Sequence, residues 1–340
     1  LSRIKTAHSQ PRSCSAAERS RIACRLFCFP AVLRLLQTYA RSFCQGCGSF
    51  RTSPLKLFLH KPENWNCVCV RQMLTVCGAQ YRYILCGTDT GRTLVFLNDG
   101  MNTLEMWVDY VDALSGDCRV LLFDYPQQLR TNQALVAGMH AFFQKLGIER
   151  PIFVSASGGG MVAQIYVQKY PGEAGGLILI STGGMDGNTL KALKKQYFFA
   201  PLMLWYMKRC NYEKLKPKLI HASMRHIRSE SAEEIACAQD MFETIFKDYP
   251  QEKDVHISGL LADFMNQKPV TAADFAALAG KILLILPDQD FFSAKMQEDL
   301  IGLMHHPQIL YISGGHLSTV LNPDGYIRAI RSFLFSDDFQ

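Results

Sequence analysis

From about residue 92 onward the chain alternates short apolar runs with longer amphipathic stretches. That rhythm is the signature of a parallel sheet covered by helices, because strands buried on both faces read as continuous apolar runs. The predicted strands are 92–98, 119–124, 152–155, 176–182, 281–286 and 308–313, with an antiparallel strand before them at about 80–86. Helices are predicted at 103–115, 131–147, 159–170, 294–304 and 318–335.

The alternation breaks once, between residues 184 and 281, where helical patterns continue without a strand. This stretch, about 185–280, is expected to form a helical cap inserted into the α/β unit. Its run from Tyr197 to Met207 is uncharged for eleven positions, too short to span a bilayer. Such a run can line an apolar pocket, and ordinary packing of cap onto core would use the same side chains. Elsewhere no apolar stretch approaches a membrane span, so no transmembrane helix is expected.

Charge divides the chain unevenly. Residues 1–75 hold 12 basic and 2 acidic side chains, a net +10 within a total of +6, so the remainder carries −4. Seven of the 12 cysteines also fall there. Cys44 and Cys47 have zinc-knuckle spacing, but Cys67 and Cys69 make a poor second half, and no metal is assigned. Arg- and Ser-rich, acid-poor composition also describes a mitochondrial leader, yet no sustained amphipathic period supports one. Aromatic residues do not interleave with the basic ones, so nucleic acid is not expected as a partner. The first methionine is Met73. Residues 1–72 are therefore expected to be a basic extension outside the working protein, and residues 73–340 the folded unit, with reduced thiols and a cytoplasmic location.

The stretch most informative about chemistry is Ser155-Ala156-Ser157-Gly158-Gly159, where a predicted strand runs straight into a helix. A nucleophile on so tight a turn needs small residues two places before and after it, so that strand and helix can approach. Ser155 and Gly159 satisfy this around Ser157, whereas bulky Phe153 disfavours Ser155 as the nucleophile. At the helix N-terminus the Gly158 N–H can stabilise developing negative charge. Neither dinucleotide-binding glycine spacing nor a P-loop lysine is present.

A serine hydroxyl needs a base, and the base an orienting acid. His316, after the last strand and a Gly-Gly turn, is the base candidate. Pro287-Asp288-Gln289-Asp290 follows the preceding strand; Asp290 is the acid candidate, Asp288 reads as a turn cap, and Asp186 is the alternative acid.

The order Ser157, Asp290, His316, each after a strand, resembles the α/β-hydrolase family over roughly residues 80–336. The resemblance implies a mostly parallel sheet flanked by helices, with the cap after the sixth family strand. It also implies a Ser-His-Asp triad and no metal or organic cofactor. The family's His-Gly appears here as Asp99-Gly100-Met101, and the resemblance assigns the second oxyanion donor to the Met101 N–H. Gly100, Trp205 and Phe291 are assigned to substrate contact. In place of the family's Asp-x-x-Gly-x-Gly-x-Ser stands Asp124-Tyr125-Pro126-Gln127-Gln128-Leu129. The implied substrate is a small-molecule ester of a small or medium apolar acid. Two alternatives stay open: carbon–carbon bond hydrolysis by the same triad, and a non-catalytic interaction protein. Maspardin-like proteins share the Tyr-Pro turn and small-residue elbow, but lack the late histidine.

Overall fold

The computed structural model describes residues 71–89, 91–98, 100, 103–224, 232–290, 292–336 and 339. The basic front segment with Cys44 and Cys47 lies outside the described residues, as do Met101 and Phe291. Eight strands form one sheet: β1 (Arg71–Val76), β2 (Ala79–Gly87), β3 (Thr93–Leu97), β4 (Arg119–Phe123), β5 (Ile152–Ala156), β6 (Gly176–Ile180), β7 (Ile282–Gln289) and β8 (Gln308–Gly315). Their order is β1-β2-β4-β3-β5-β6-β7-β8. β1 and β2 pair antiparallel, β2 joins β4 antiparallel, and β3 to β8 are mutually parallel.

β1 was not anticipated. Most of it is exposed, so no apolar run signals it. What makes it a strand is the turn that follows: Cys77 and Gly78 both have positive φ, 49° and 78°, and form the two-residue loop of a hairpin. The pairing begins at Arg71↔Ile84, so a boundary at Met73 falls inside this strand.

Alternate residues of the central strands feed two cores. On one face Val95, Leu97, Leu121, Phe123 and Phe153 meet α2 (Asn132–Lys145) and α3 (Gly158–Lys169). On the other, Leu94, Phe96, Val120, Leu122 and Val154 meet α1 (Val108–Leu114), the 3₁₀ turn before it (Leu104–Trp107), and the last helix. The single helix expected at 318–335 is two, α10 (Ser318–Leu321) and α11 (Pro323–Leu334). Pro323 opens the second because it lacks the N–H that would continue the first. α9 (Ala294–Leu303) lies between β7 and β8.

Between β6 and β7 the chain forms α4 (Gly187–Gln196), α5 (Ala200–Met207), α6 (Tyr212–Met224), α7 (Ala232–Lys247) and α8 (Gln251–Asp263). The 3₁₀ segments Phe264–Asn266 and Ala272–Leu278 complete the insertion. α8 is tied to the segment after β4. Lys253 Nζ lies 3.3 Å from Asp124 Oδ1, and the His256 Nε2–H donates to the Leu129 carbonyl at 2.8 Å. The Asn132 N–H donates to Asp263 Oδ2 at 2.7 Å, and Asn132 Nδ2 to the Leu260 carbonyl at 2.8 Å. The Asp124–Leu129 segment is thus one of the places where the insertion is fastened.

In the first turn of α1, burial, with Asp112 and Asp324 nearby, pushes the Asp109 carboxyl up to about 6. A carboxyl whose folded value is raised favours folding most below its ordinary value, and that contribution disappears as pH rises towards the folded value. Asp109→Asn is therefore expected to stabilise the protein by about 1 kcal/mol at about pH 8 and to change little at about pH 4. Thermal melts at both pH values check this; a stabilisation independent of pH would contradict it.

Candidate active site

The five residues of β5 are all buried, and the chain turns at Ser157 directly into α3. Ser157 has φ 50° and ψ −120°, a conformation costly for a side chain with a Cβ. Its backbone is held from the neighbouring strand. The Ser157 N–H donates to the Ile180 carbonyl at 3.0 Å, and Thr182 Oγ1 donates to the Ser157 carbonyl at 2.7 Å. Gly159 allows the turn: a Cβ there would stand 2.5 Å from the Leu97 oxygen and 2.7 Å from that of Asn98. Gln164 adds a buried staple, donating to the Gly160 and Gly183 carbonyls and accepting from the Met185 N–H.

Asp290 and His316 meet because of strand register. β7 and β8 run parallel with Gln289 opposite Gly315, so the next residue of each chain segment is brought to the same place. Both strands extend beyond their expected ends. β7 passes through Pro287, where the ladder shifts register; a proline without N–H is tolerated at such an irregularity. Asp288 accepts from the Gly314 N–H at 3.0 Å and from Ser313 Oγ at 3.4 Å, fixing the turn that presents His316. Beyond it, Ser318 Oγ donates to the Gly315 carbonyl at 2.5 Å and lies beside the Tyr326 hydroxyl.

Three side chains from distant parts of the chain then form a relay. His316 Nδ1 lies 2.6 Å from Asp290 Oδ1, and His316 Nε2 lies 2.9 Å from Ser157 Oγ. The imidazole and carboxylate are almost sealed, at 5% and 1% side-chain exposure. A carboxylate accepts only, so it selects the Nδ1–H tautomer and leaves Nε2 to accept the Ser157 hydroxyl proton. Asp186 is occupied elsewhere, capping α4 through the N–H groups of Asn188 and Thr189. Ser155 is fully buried on the sheet side of the turn.

Of the remaining expected site residues, Gly158 opens α3 beside Gly100, whose nitrogen would be 4.0 Å from a Cβ on Gly158. Trp205 sits on α5, 52% exposed, with the Arg209 guanidinium 4.8 Å over its ring. Among the described residues, two side chains that the sequence did not single out lie against Gly158. A Cβ on Gly158 would stand 3.2 Å from Leu261 Cδ2 and 3.8 Å from Phe264 Cε2, and one on Gly100 would stand 3.4 Å from Leu261 Cδ1. Both residues come from the insertion, more than a hundred positions downstream, and no local signal marks them. Phe292, next to the expected Phe291, packs its ring 5.9 Å from that of His316. Among the described residues no three His, Cys, Asp or Glu side chains gather as a metal-holding group.

A family model described as the alpha/beta hydrolase fold matches residues 92–319, and the chain belongs to that family. Several solved structures share the fold. An alpha/beta hydrolase enzyme, MGS-M2, from a Medee basin deep-sea metagenome library is 17% identical, with a TM-score of 0.63 over 78% of this chain and 98% of its own. The enol-lactonase from Burkholderia xenovorans LB400 is 16% identical, with a TM-score of 0.61 over 78% of this chain and 100% of its own. A thermophilic esterase from Thermogutta terrifontis is 19% identical, with a TM-score of 0.57 over 78% and 98%. A comparison with curated protein sequences finds no match. Membership of that family supports hydrolase activity, and the solved structures, at 16–19% identity, share the fold.

Proposed function

We propose that the protein is a serine hydrolase that cleaves carboxylic esters or related acyl bonds through an acyl-enzyme intermediate. The observation that carries this is the unbroken relay from Ser157 Oγ through the His316 imidazole to Asp290, at 2.9 and 2.6 Å. The Ser157 hydroxyl attacks the substrate carbonyl as its proton passes to His316 Nε2, and Asp290 stabilises the resulting imidazolium. The carbonyl oxygen, now an anion, takes hydrogen bonds from the N–H groups of Gly158 and Met101. His316 returns the proton to the leaving alcohol. It then activates water, which attacks the acyl group and frees Ser157. None of these steps requires a metal or organic cofactor. The helical insertion acts as a cap, and Leu261 and Phe264 form the apolar wall against the acyl group. Hydrolysis of chromogenic esters of increasing acyl length tests the reaction class. Turnover that peaks at a short or medium chain supports it. A protein that labels at serine yet cleaves no ester fits carbon–carbon hydrolysis instead, and one that does neither fits a non-catalytic role.

Leu261 supplies a prediction on specificity. One or a few methylenes in an apolar pocket change discrimination by about 10- to 200-fold. Leu261→Ala is expected to raise kcat/KM for branched or longer acyl groups about tenfold relative to acetyl, and Leu261→Trp to do the reverse. Parallel shifts for every acyl group would remove Leu261 from the acyl wall.

A further inference from the structure

The helical insertion also presents an apolar surface that the relay does not use. Phe198, Phe199, Leu202 and Trp205 are 74%, 53%, 43% and 52% exposed. Positions 198, 202 and 205 follow helical spacing, so they share one outward face of α5 and the turn before it. Large apolar side chains that gather on a convex helix surface mark a place where something docks. The flanks say what. Between residues 187 and 218 the exposed cations are Lys191, Lys194, Lys195, Lys208, Arg209, Lys214 and Lys218. The one exposed acid in that span, Glu213, reaches Lys216 at 2.9 Å. Of the other acids near the start of α6, Asp254 accepts from the Tyr212 hydroxyl at 2.9 Å, and Asp248 and Glu252 line a depression with Glu213, Lys216 and Lys247. An apolar, Trp-bearing face between basic shoulders suits the boundary of a bilayer with anionic headgroups.

Charge complementarity also excludes two other occupants. A second copy of this chain packed face to face would set one cationic rim against another. The chain's own residues 1–70, with 11 basic and 2 acidic side chains, carry the same sign and would be repelled. From the exposed face of α5 and its cationic shoulders we propose that this protein docks on anionic membrane surfaces through the helical insertion. Adsorption of this kind is peripheral: among the described residues no helix is long and apolar enough to cross a membrane. The proposal stands apart from the serine chemistry, since binding is read without turnover.

Sedimentation of the full chain with vesicles tests it. Vesicles of phosphatidylcholine with about 30% phosphatidylglycerol are expected to bind about tenfold more protein than phosphatidylcholine alone, with the difference lost at high salt. Phe198→Ser/Trp205→Ser and Lys194→Glu/Lys195→Glu should each reduce that binding about tenfold, and Ser157→Ala should leave it unchanged. Melts by circular dichroism verify that the variants fold. Undiminished binding by both variants would assign the lipid contact to the front segment and overturn the proposal. So would an absence of vesicle binding, a dimer that dissociates in Phe198→Ser/Trp205→Ser, or equally tight binding to polyglutamate by wild type and that variant.

Discussion

Ser157→Ala is expected to lower kcat by at least about 10⁴-fold on any ester the protein turns over, with KM little changed. In the proposed reaction the hydroxyl is the atom that attacks, and it is the hydrogen-bond partner of His316 Nε2, so its loss would remove the covalent route entirely. His316→Ala should cost about as much, and the double variant little more than either alone, because members of such a relay act as a unit. The control is two residues away. Ser155 is fully buried and its hydroxyl has no hydrogen-bond partner among the described residues. Removing an unpartnered buried hydroxyl costs almost nothing, so Ser155→Ala should keep kcat within about twofold. Steady-state kinetics on a chromogenic ester separate the cases. Equal activity losses at positions 155 and 157 would mean that the turn, rather than the Ser157 oxygen, had been damaged.

Gly159→Ala is expected to destabilise the fold by about 2–4 kcal/mol and to reduce kcat as well. The added carbon would meet backbone oxygens at 2.5 and 2.7 Å, and those atoms cannot step aside. Asn98, at the end of β3, is fixed on three sides. Its Oδ1 accepts from Trp107 Nε1 at 3.1 Å, its Nδ2 donates to the Phe123 carbonyl at 2.9 Å, and its own carbonyl accepts from the Tyr125 hydroxyl at 3.2 Å. Strain at Gly159 must therefore move α3, and with it Ser157 and the Gly158 N–H. For a unit of this size the melting temperature should fall by roughly 5–15 °C. A Gly159→Ala protein as stable and active as wild type would show that strand and helix are less closely apposed than the Leu97 and Asn98 contacts require.

The parts of the structure legible in the sequence are those whose physics is local. Strands β3 to β8 announce themselves as apolar runs, β8 through Ile309-Leu310-Tyr311-Ile312 even though that run is partly exposed. The small residues around Ser157 are demanded by the turn itself, and the Gly-Gly before His316 by a chain that must leave a strand sharply; Gly314 has φ 135°. What escaped depends on partners far away or on a pattern too weak to read. β1 is largely exposed and shows itself only through the Cys77-Gly78 turn. The extension of β7 through Pro287 runs against the usual reading of proline as a strand end, and only its pairing with β8 makes it visible. Leu261 and Phe264 meet Gly158 because α8 is fastened by Asn132 and Asp124, a tertiary fact with no sequence periodicity behind it. Phe292, whose ring lies near the imidazole, has no spacing that marks it in the sequence.

In the proposed reaction one oxygen, Ser157 Oγ, is made nucleophilic by an imidazole 2.9 Å away. Reaction with a fluorophosphonate, followed by peptide mapping in a mass spectrometer, measures that directly. A single phosphonyl adduct on the peptide bearing Ser157, absent in Ser157→Ala and strongly slowed in His316→Ala, is the predicted result. An adduct on another residue, or labelling that persists in Ser157→Ala, would contradict it.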